Sequence, residues 1–350
     1  MKVHLPVRKA ILLRRTYEAP AEGRAGKIRL DFNENTTGCG AAARRALARL
    51  TAKQIATYPE YEVPTRRMAR YFHVQPDELL LTNGGDDALR VFFDTFVEPR
   101  TDVLICEPTF PMYRYYAEIA GARVKVIRYG SNMEFPFAEA LAALRKKPRL
   151  FFLANPNNPT GTFVPSAMVR RLLRSAPHTV VVLDEAYSEF SPESVVPWVR
   201  RYPHLFVTRT FSKAEGMAGL RLGAVIGRRD SLSFVRRAMP PYPVNLAALA
   251  AGVAAVEERK TIARYVSDVK HLRSWLVREL EQRGVRVFPS AANFLLADFG
   301  KPGPAFFKKL ARHNILVRER SHDLGPGYAR ITIGTQAELQ KLLEILGPVR

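Results

Sequence analysis

Short apolar runs bounded by turn residues recur through the first two thirds of the chain. They fall at 78–82, 103–106, 123–129, 149–154, 179–183, 205–207 and 224–227. Between them lie helix-like stretches at 41–50, 88–97, 137–146, 167–175 and 230–239. The run at 179–183 is continuous and valine-rich, the pattern of a strand buried on both faces of a parallel sheet. Strands alternating with helices predict an α/β architecture with a mostly parallel sheet flanked by helices. Pro240-Pro-Tyr-Pro243 breaks the pattern, and long helical stretches follow at 246–257 and 261–282. The remainder mixes strands at 285–288, 294–298, 315–318 and 328–333 with helices at 304–313 and 337–346. These predict a smaller α+β domain. Residues 1–29 have no clear periodicity. The expected division is an N-terminal arm over 1–35, a large domain over 36–245, and an interdomain helix with a small C-terminal domain over 246–350.

Composition changes this picture only through charge. Hydrophobic content of 47% and charged content of 25% suit a soluble globular chain, and no run reaches the ~18 apolar residues of a membrane helix. Arg8, Lys9, Arg14 and Arg15 interrupt any leader-like apolar region, and Cys39 and Cys106 are too few for a disulfide framework or a zinc site. A cytoplasmic location is the expectation. The formal net charge is +21, but the basic residues are dispersed and no nucleic-acid-binding motif occurs. A solvated basic surface is therefore expected, with no nucleic-acid or membrane partner, in a field that draws in anionic substrates and cofactor.

The chemistry concentrates in Thr208-Arg-Thr-Phe-Ser-Lys-Ala-Glu-Gly-Met-Ala-Gly-Leu-Arg-Leu-Gly223. A lysine bonds covalently to a carbonyl compound only as the neutral amine, so burial or nearby positive charge must lower its pKa. Thr210, Ser212 and Arg221 are the groups a buried phosphate requires. Together with Lys213 they suggest a phosphate-bearing aldehyde, pyridoxal 5'-phosphate. Taken alone, the segment fits a solvated loop lysine equally well.

Other stretches supply what that cofactor needs, each beside a plainer reading. Asn83-Gly-Gly-Asp-Asp87 precedes a helix and leaves backbone N–H groups for an anion, although Asp86 could simply cap the helix. Phe110 and Tyr113 follow a strand end, where open α/β sheets bind ligands, yet core packing is the commoner fate of such aromatics. Asn155-Pro-Asn-Asn-Pro-Thr-Gly161 is a constrained loop with amide donors. Asp184 ends the valine-rich strand, and a buried acid needs a cationic partner, or else it is a cap or a structural ion pair.

With Asn158, Asp184, Tyr187, Lys213, Arg221 and Arg330 in this order, the chain resembles the fold-type I pyridoxal-phosphate-dependent transferases, and among their aminotransferases most of all the histidinol-phosphate aminotransferase family. The resemblance runs from about Leu30 to the last helix. It implies that Lys213 holds the cofactor and moves a proton, that Asp184 pairs with the pyridine nitrogen, and that Tyr187 and Asn158 bond the ring oxygen. It implies that Phe110 stacks on the ring, and that Gly85, Asp86, Thr210, Ser212 and Arg221 hold the phosphate. Arg330 would clamp a substrate carboxylate. Asn33 lies in a segment similar to a family motif in which Thr36 replaces a proline. Arg318, or Arg320 close by, would bind a substrate phosphate. Tyr58 would reach the cofactor of a partner subunit, which implies a homodimer. The implied reaction passes an amino group from a small-molecule donor to a 2-oxo acid. Transamination of aromatic amino acids, decarboxylation of threonine phosphate, and a non-catalytic regulatory or nucleic-acid-binding role on the same scaffold are the alternatives.

Overall fold

The structure is a computed structural model in which residues 5–12 and 22–347 are described. The strands in chain order are β1 (Ile28–Leu30), β2 (Leu79–Thr82), β3 (Asp102–Glu107), β4 (Arg123–Arg128), β5 (Leu150–Ala154), β6 (Val180–Asp184), β7 (Leu205–Thr210), β8 (Gly223–Gly227), β9 (Arg286–Val287), β10 (Phe294–Asp298), β11 (Ile315–Glu319) and β12 (Tyr328–Thr332). Seven of them form one sheet in the order β2-β8-β7-β6-β5-β3-β4. All run parallel except β8, which is antiparallel to both its neighbours. The expected mostly parallel sheet is present, and β8 is its one reversed member.

Alternation along the strands builds two cores. Leu81, Leu104, Phe151, Leu183 and Val207 face one side of the sheet, with Ala248 and Leu249 of the helix Leu246–Glu257. Leu80, Ile105, Phe152, Val182 and Phe206 face the other, against Phe92 and Phe93 of the helix Gly84–Phe96. Period-two side-chain alternation in strands buried on both faces gives this division.

The second sheet has five strands in the order β1-β11-β12-β10-β9. Its core joins Phe294, Leu295 and Ile331 to the helices Arg259–Glu281, Gly303–Arg312 and Gln336–Leu346. Strand β1 begins in the stretch that showed no clear periodicity. It pairs in parallel with β11, Ile28 opposite Ile315 and Leu30 opposite Val317. Three residues carry no readable period, and only this distant partner makes them a strand.

A second difference lies at 83–87. The helix begins at Gly84 rather than Ala88, and Asn83 is its N-cap residue without a side-chain cap. Asp86 does not cap it. The carboxylate of Asp87 accepts the Asn83 N–H at 3.0 Å, and Asp86 pairs instead with Arg221. No helix among the described residues is long and apolar enough to cross a membrane.

Candidate active site

The carboxyl ends of β2, β3, β5, β6 and β7 point the same way, and the predicted site residues lie on or just past them. They open into a cavity of about 540 Å3, closed on its far side by residues 32–34 and by β11, β12 and the loop between them. Asn33, Gly85, Asp86, Phe110, Asn158, Asp184, Tyr187, Thr210, Ser212, Lys213, Arg221, Arg318, Arg320 and Arg330 all line it. Tyr58 does not. It is 78% exposed and stacks on Tyr242, with ring centroids 4.4 Å apart.

Lys213 sits in the connection between β7 and β8, whose ends are held together by the Thr210–Gly223 pair. Its Nζ donates to the Phe32 carbonyl at 3.0 Å. Burial, and then the nearby Arg330, lowers its amine to about 8, so the neutral nucleophilic form is accessible near neutral pH.

Asp184 closes β6. One carboxylate oxygen accepts the Tyr113 O–H at 2.6 Å, and the other accepts the Thr208 hydroxyl at 3.0 Å and the Ala186 N–H at 3.1 Å. Burial raises its pKa while these three donors oppose the rise. No Lys, Arg or His among the described residues forms an ion pair with it. A buried carboxylate so arranged is complementary to a cationic ring nitrogen.

A phosphate group fits the other end. Gly85 and Asp86 lie in the first turn of Gly84–Phe96, where N–H groups have no intrahelical acceptor. The hydroxyls of Thr210 and Ser212 are 3.0 Å apart, and Arg221 reaches in from a left-handed backbone conformation, φ 58°. Gly84, φ +81°, leaves the space this needs: a Cβ there would stand 2.7 Å from an Arg221 guanidinium nitrogen. The anion donors at one end, the unpaired acid at the other and the lysine in the same cavity fit pyridoxal phosphate.

Tyr187 and Asn158 bind this region to the substrate side. The Tyr187 hydroxyl accepts from Asn33 Nδ2 at 2.9 Å and from Asn158 Nδ2 at 3.5 Å, and Asn158 Oδ1 accepts from Arg330 at 2.5 Å. The other asparagines of that loop brace it: Asn155 bonds the backbone of Val164 in both directions, and Asn157 holds Pro108, Thr109 and Thr160. Of the amide donors the loop offers, only Asn158 serves the cavity.

Arg318 on β11 is the direct cross-strand partner of Arg330 on β12. Like charges set opposite each other cost stability unless an anion joins them. Burial and the neighbouring Arg320 and Arg318 lower Arg330 to about 10. Arg320 is buried and ion-paired with Asp323, whereas Arg318 stands 6.0 Å over the Phe32 ring and has no carboxylate partner among the described residues. Sequence reasoning missed Phe32, Glu34, Thr208 and His322, which also line the cavity. Thr208 was legible as the last strand position before the lysine turn. His322 sits in a loop whose register nothing local fixes.

The model of the aminotransferase class I and II family matches residues 25–346. Histidinol-phosphate aminotransferase of Symbiobacterium thermophilum is 37% identical over 330 residues, 91% of this chain and 89% of that protein. Its counterpart in a Geobacillus species (strain WCH70) is 32% identical over 326 residues, 91% of this chain and 89% of that one. The crystal structure of histidinol-phosphate aminotransferase from Sinorhizobium meliloti in complex with pyridoxal-5'-phosphate superposes with a TM-score of 0.90 at 24% identity, covering 99% of this chain and 98% of that one.

Proposed function

The chain belongs to the class I and II aminotransferases, enzymes that depend on pyridoxal phosphate, and we propose that it passes the amino group of histidinol phosphate to 2-oxoglutarate, a step of histidine biosynthesis. Two findings support this substrate. Relatives carrying that name match nine tenths of the chain. The observation that carries the reading is the cross-strand pair Arg318–Arg330, which offers two guanidinium groups side by side to substrates whose anionic groups differ.

The residues divide the work as follows. Pyridoxal phosphate, when bound, supplies a carbonyl for the amino group and a ring that draws electrons from the carbon losing its proton. Lys213 would hold the cofactor and would serve as the base that takes the proton from the donor's Cα and returns one to complete the transfer. Asp184, held by Tyr113, Thr208 and the Ala186 N–H, would keep the ring nitrogen protonated. Tyr187 and Asn158 would bond the ring oxygen, and Phe110 would pack against the ring. Gly85, Asp86, Thr210, Ser212 and Arg221 would anchor the phosphate. Arg330 takes the carboxylate of the 2-oxo acid, since its planar fork suits two oxygens. Arg318 takes the phosphate of histidinol phosphate, because Arg320 is already matched to Asp323.

Steady-state kinetics with both substrates test the assignment. A charge-assisted hydrogen bond contributes about 1.5–3 kcal/mol, so Arg318→Met is expected to raise KM for histidinol phosphate roughly 10- to 100-fold and KM for 2-oxoglutarate far less. Faster turnover of phenylalanine or tyrosine, or decarboxylation of phosphothreonine, would replace the substrate while leaving the cofactor chemistry in place. We further propose a homodimer in which Tyr58 completes the partner's site. Its exposure and its stack on the half-exposed Tyr242 support this reading.

A further inference from the structure

Residues 31–34 cross the mouth of the cavity as a strap, and the first three each touch a different part of the machinery. The Asp31 carbonyl accepts from Arg330, the Phe32 carbonyl from Lys213, and the Asn33 side chain donates to Tyr187. Asn33 adopts a left-handed backbone, φ 57°. Its N–H donates to the Thr332 hydroxyl, and its carbonyl accepts from Asn293. Both carboxylates of the strap bond to Arg24, and Glu34 has a second, longer contact with Arg29 at 3.8 Å. Arg24 donates to both oxygens of Asp31, at 3.1 and 2.7 Å, and to both of Glu34, at 3.5 and 2.6 Å. Its guanidinium also stacks 3.9 Å over the Phe32 ring. Arg24 is 9% exposed and does not line the cavity, whereas Glu34 does.

We propose that Arg24 is a positioning residue for substrate binding: by clamping Asp31 and Glu34 it sets the strap that holds Lys213 and Arg330, and it keeps the Glu34 carboxylate from competing with anionic substrate. Removing Arg24 leaves the buried Asp31 carboxylate without its ion-pair partner and leaves the partly exposed Glu34 only the longer contact to Arg29. Both acids bear on the site's cations: Glu34, with Asp86, raises the proton affinity of Lys213, and Asp31 raises that of Arg330. Without Arg24, Glu34 keeps only the half-exposed Arg29, and its carboxylate is free to turn toward the cavity cations that a substrate carboxylate needs. The inference rests on Arg330 as the carboxylate-binding group.

The test is calorimetric titration of the holoenzyme with maleate, a dicarboxylate that cannot be transaminated, with thermal melting followed in parallel. Arg24→Met is expected to weaken maleate binding about tenfold, a loss the size of one weakened charge-assisted contact. Arg24→Met combined with Glu34→Gln is expected to recover most of it, because the competing charge is gone. Arg24→Lys keeps the charge but not the fork, so its loss should be intermediate; it, alone and with Glu34→Gln, decides the matter if Arg24→Met does not fold. Wild-type affinity in the Arg24 variants overturns the proposal. So does a loss that Glu34→Gln does not relieve, which would make Arg24 structural only. Arg330→Met separates the two levels. Unchanged maleate binding in that variant removes the reading of Arg330 and this inference with it. Lost binding there, with normal binding in the Arg24 variants, removes this inference alone.

Discussion

Glu215 stands two residues from Lys213 and takes no part in its chemistry. It is buried against Tyr71, whose hydroxyl donates to one carboxylate oxygen at 3.1 Å, and the other oxygen has no hydrogen-bond partner. The nearest cation, Arg209, is already shared by Glu185 at 2.8 Å and Glu189 at 3.0 Å. Burial first, and then repulsion from Glu189, pushes the Glu215 carboxyl up to about 8. The folded chain thus holds this proton more tightly than the unfolded one. The stability it contributes is complete below the ordinary carboxyl value of 4.5 and is lost as pH rises through about 8. Glu215→Gln keeps an acceptor for Tyr71 and removes the titration. Its melting temperature is expected to exceed that of the wild type at pH 8 by clearly more than at pH 5, as scanning calorimetry would read; a pH-independent difference would place the proton elsewhere in the cluster.

Among the elements, β2, β8 and the start of the helix Gly84–Phe96 fit closely. A Cβ on Gly223 would stand 2.6 Å from the backbone of Gly84, and one on Gly84 2.7 Å from Arg221, whereas one on Gly85 would meet only Thr210 at 3.9 Å. Gly84→Ala is therefore expected to cost about 1–2 kcal/mol for its left-handed backbone and to weaken cofactor binding, measured by titrating apoprotein with pyridoxal phosphate. Gly85→Ala should be milder on both counts, and equal effects would contradict the packing described. The same element shows what a sequence discloses. Apolar periodicity begins at Ala88, so the helix reads from there; it opens on Gly84 because that backbone is left-handed and the Arg221 side chain stands against it, and neither leaves a periodic trace. The central strands were legible because burial on both faces demands unbroken apolar runs, and the cavity-lining Lys213, Asp184, Asn158 and Arg221 because the proposed chemistry restricts residue type beside strand ends. Arg24 was not, since it and its partners at 31 and 34 lie outside any helix and become neighbours only when the strap is folded.

For the whole molecule, the exposed Tyr58–Tyr242 stack separates a chain that works alone from one that works in pairs. If Tyr58 completes a partner's site, mixing inactive Lys213→Ala with a Tyr58 variant of low activity is expected to recover activity as subunits exchange, and wild-type protein should sediment as a dimer. A fully active monomer in the ultracentrifuge would end that reading. Strand β1 has a different consequence, for the order in which the molecule comes into being. It lies against β11, almost three hundred residues further along the chain, and contacts of such sequence separation form late. During synthesis, β2 through β8 can close into their sheet and bring Lys213 beside its phosphate donors while β1 still lacks its neighbour. Until β11 and β12 leave the ribosome, the strap lacks its contacts to Thr332 and Arg330, and neither Arg318 nor Arg330 is in place. A growing chain of this kind is able to sequester cofactor well before it is able to select a substrate.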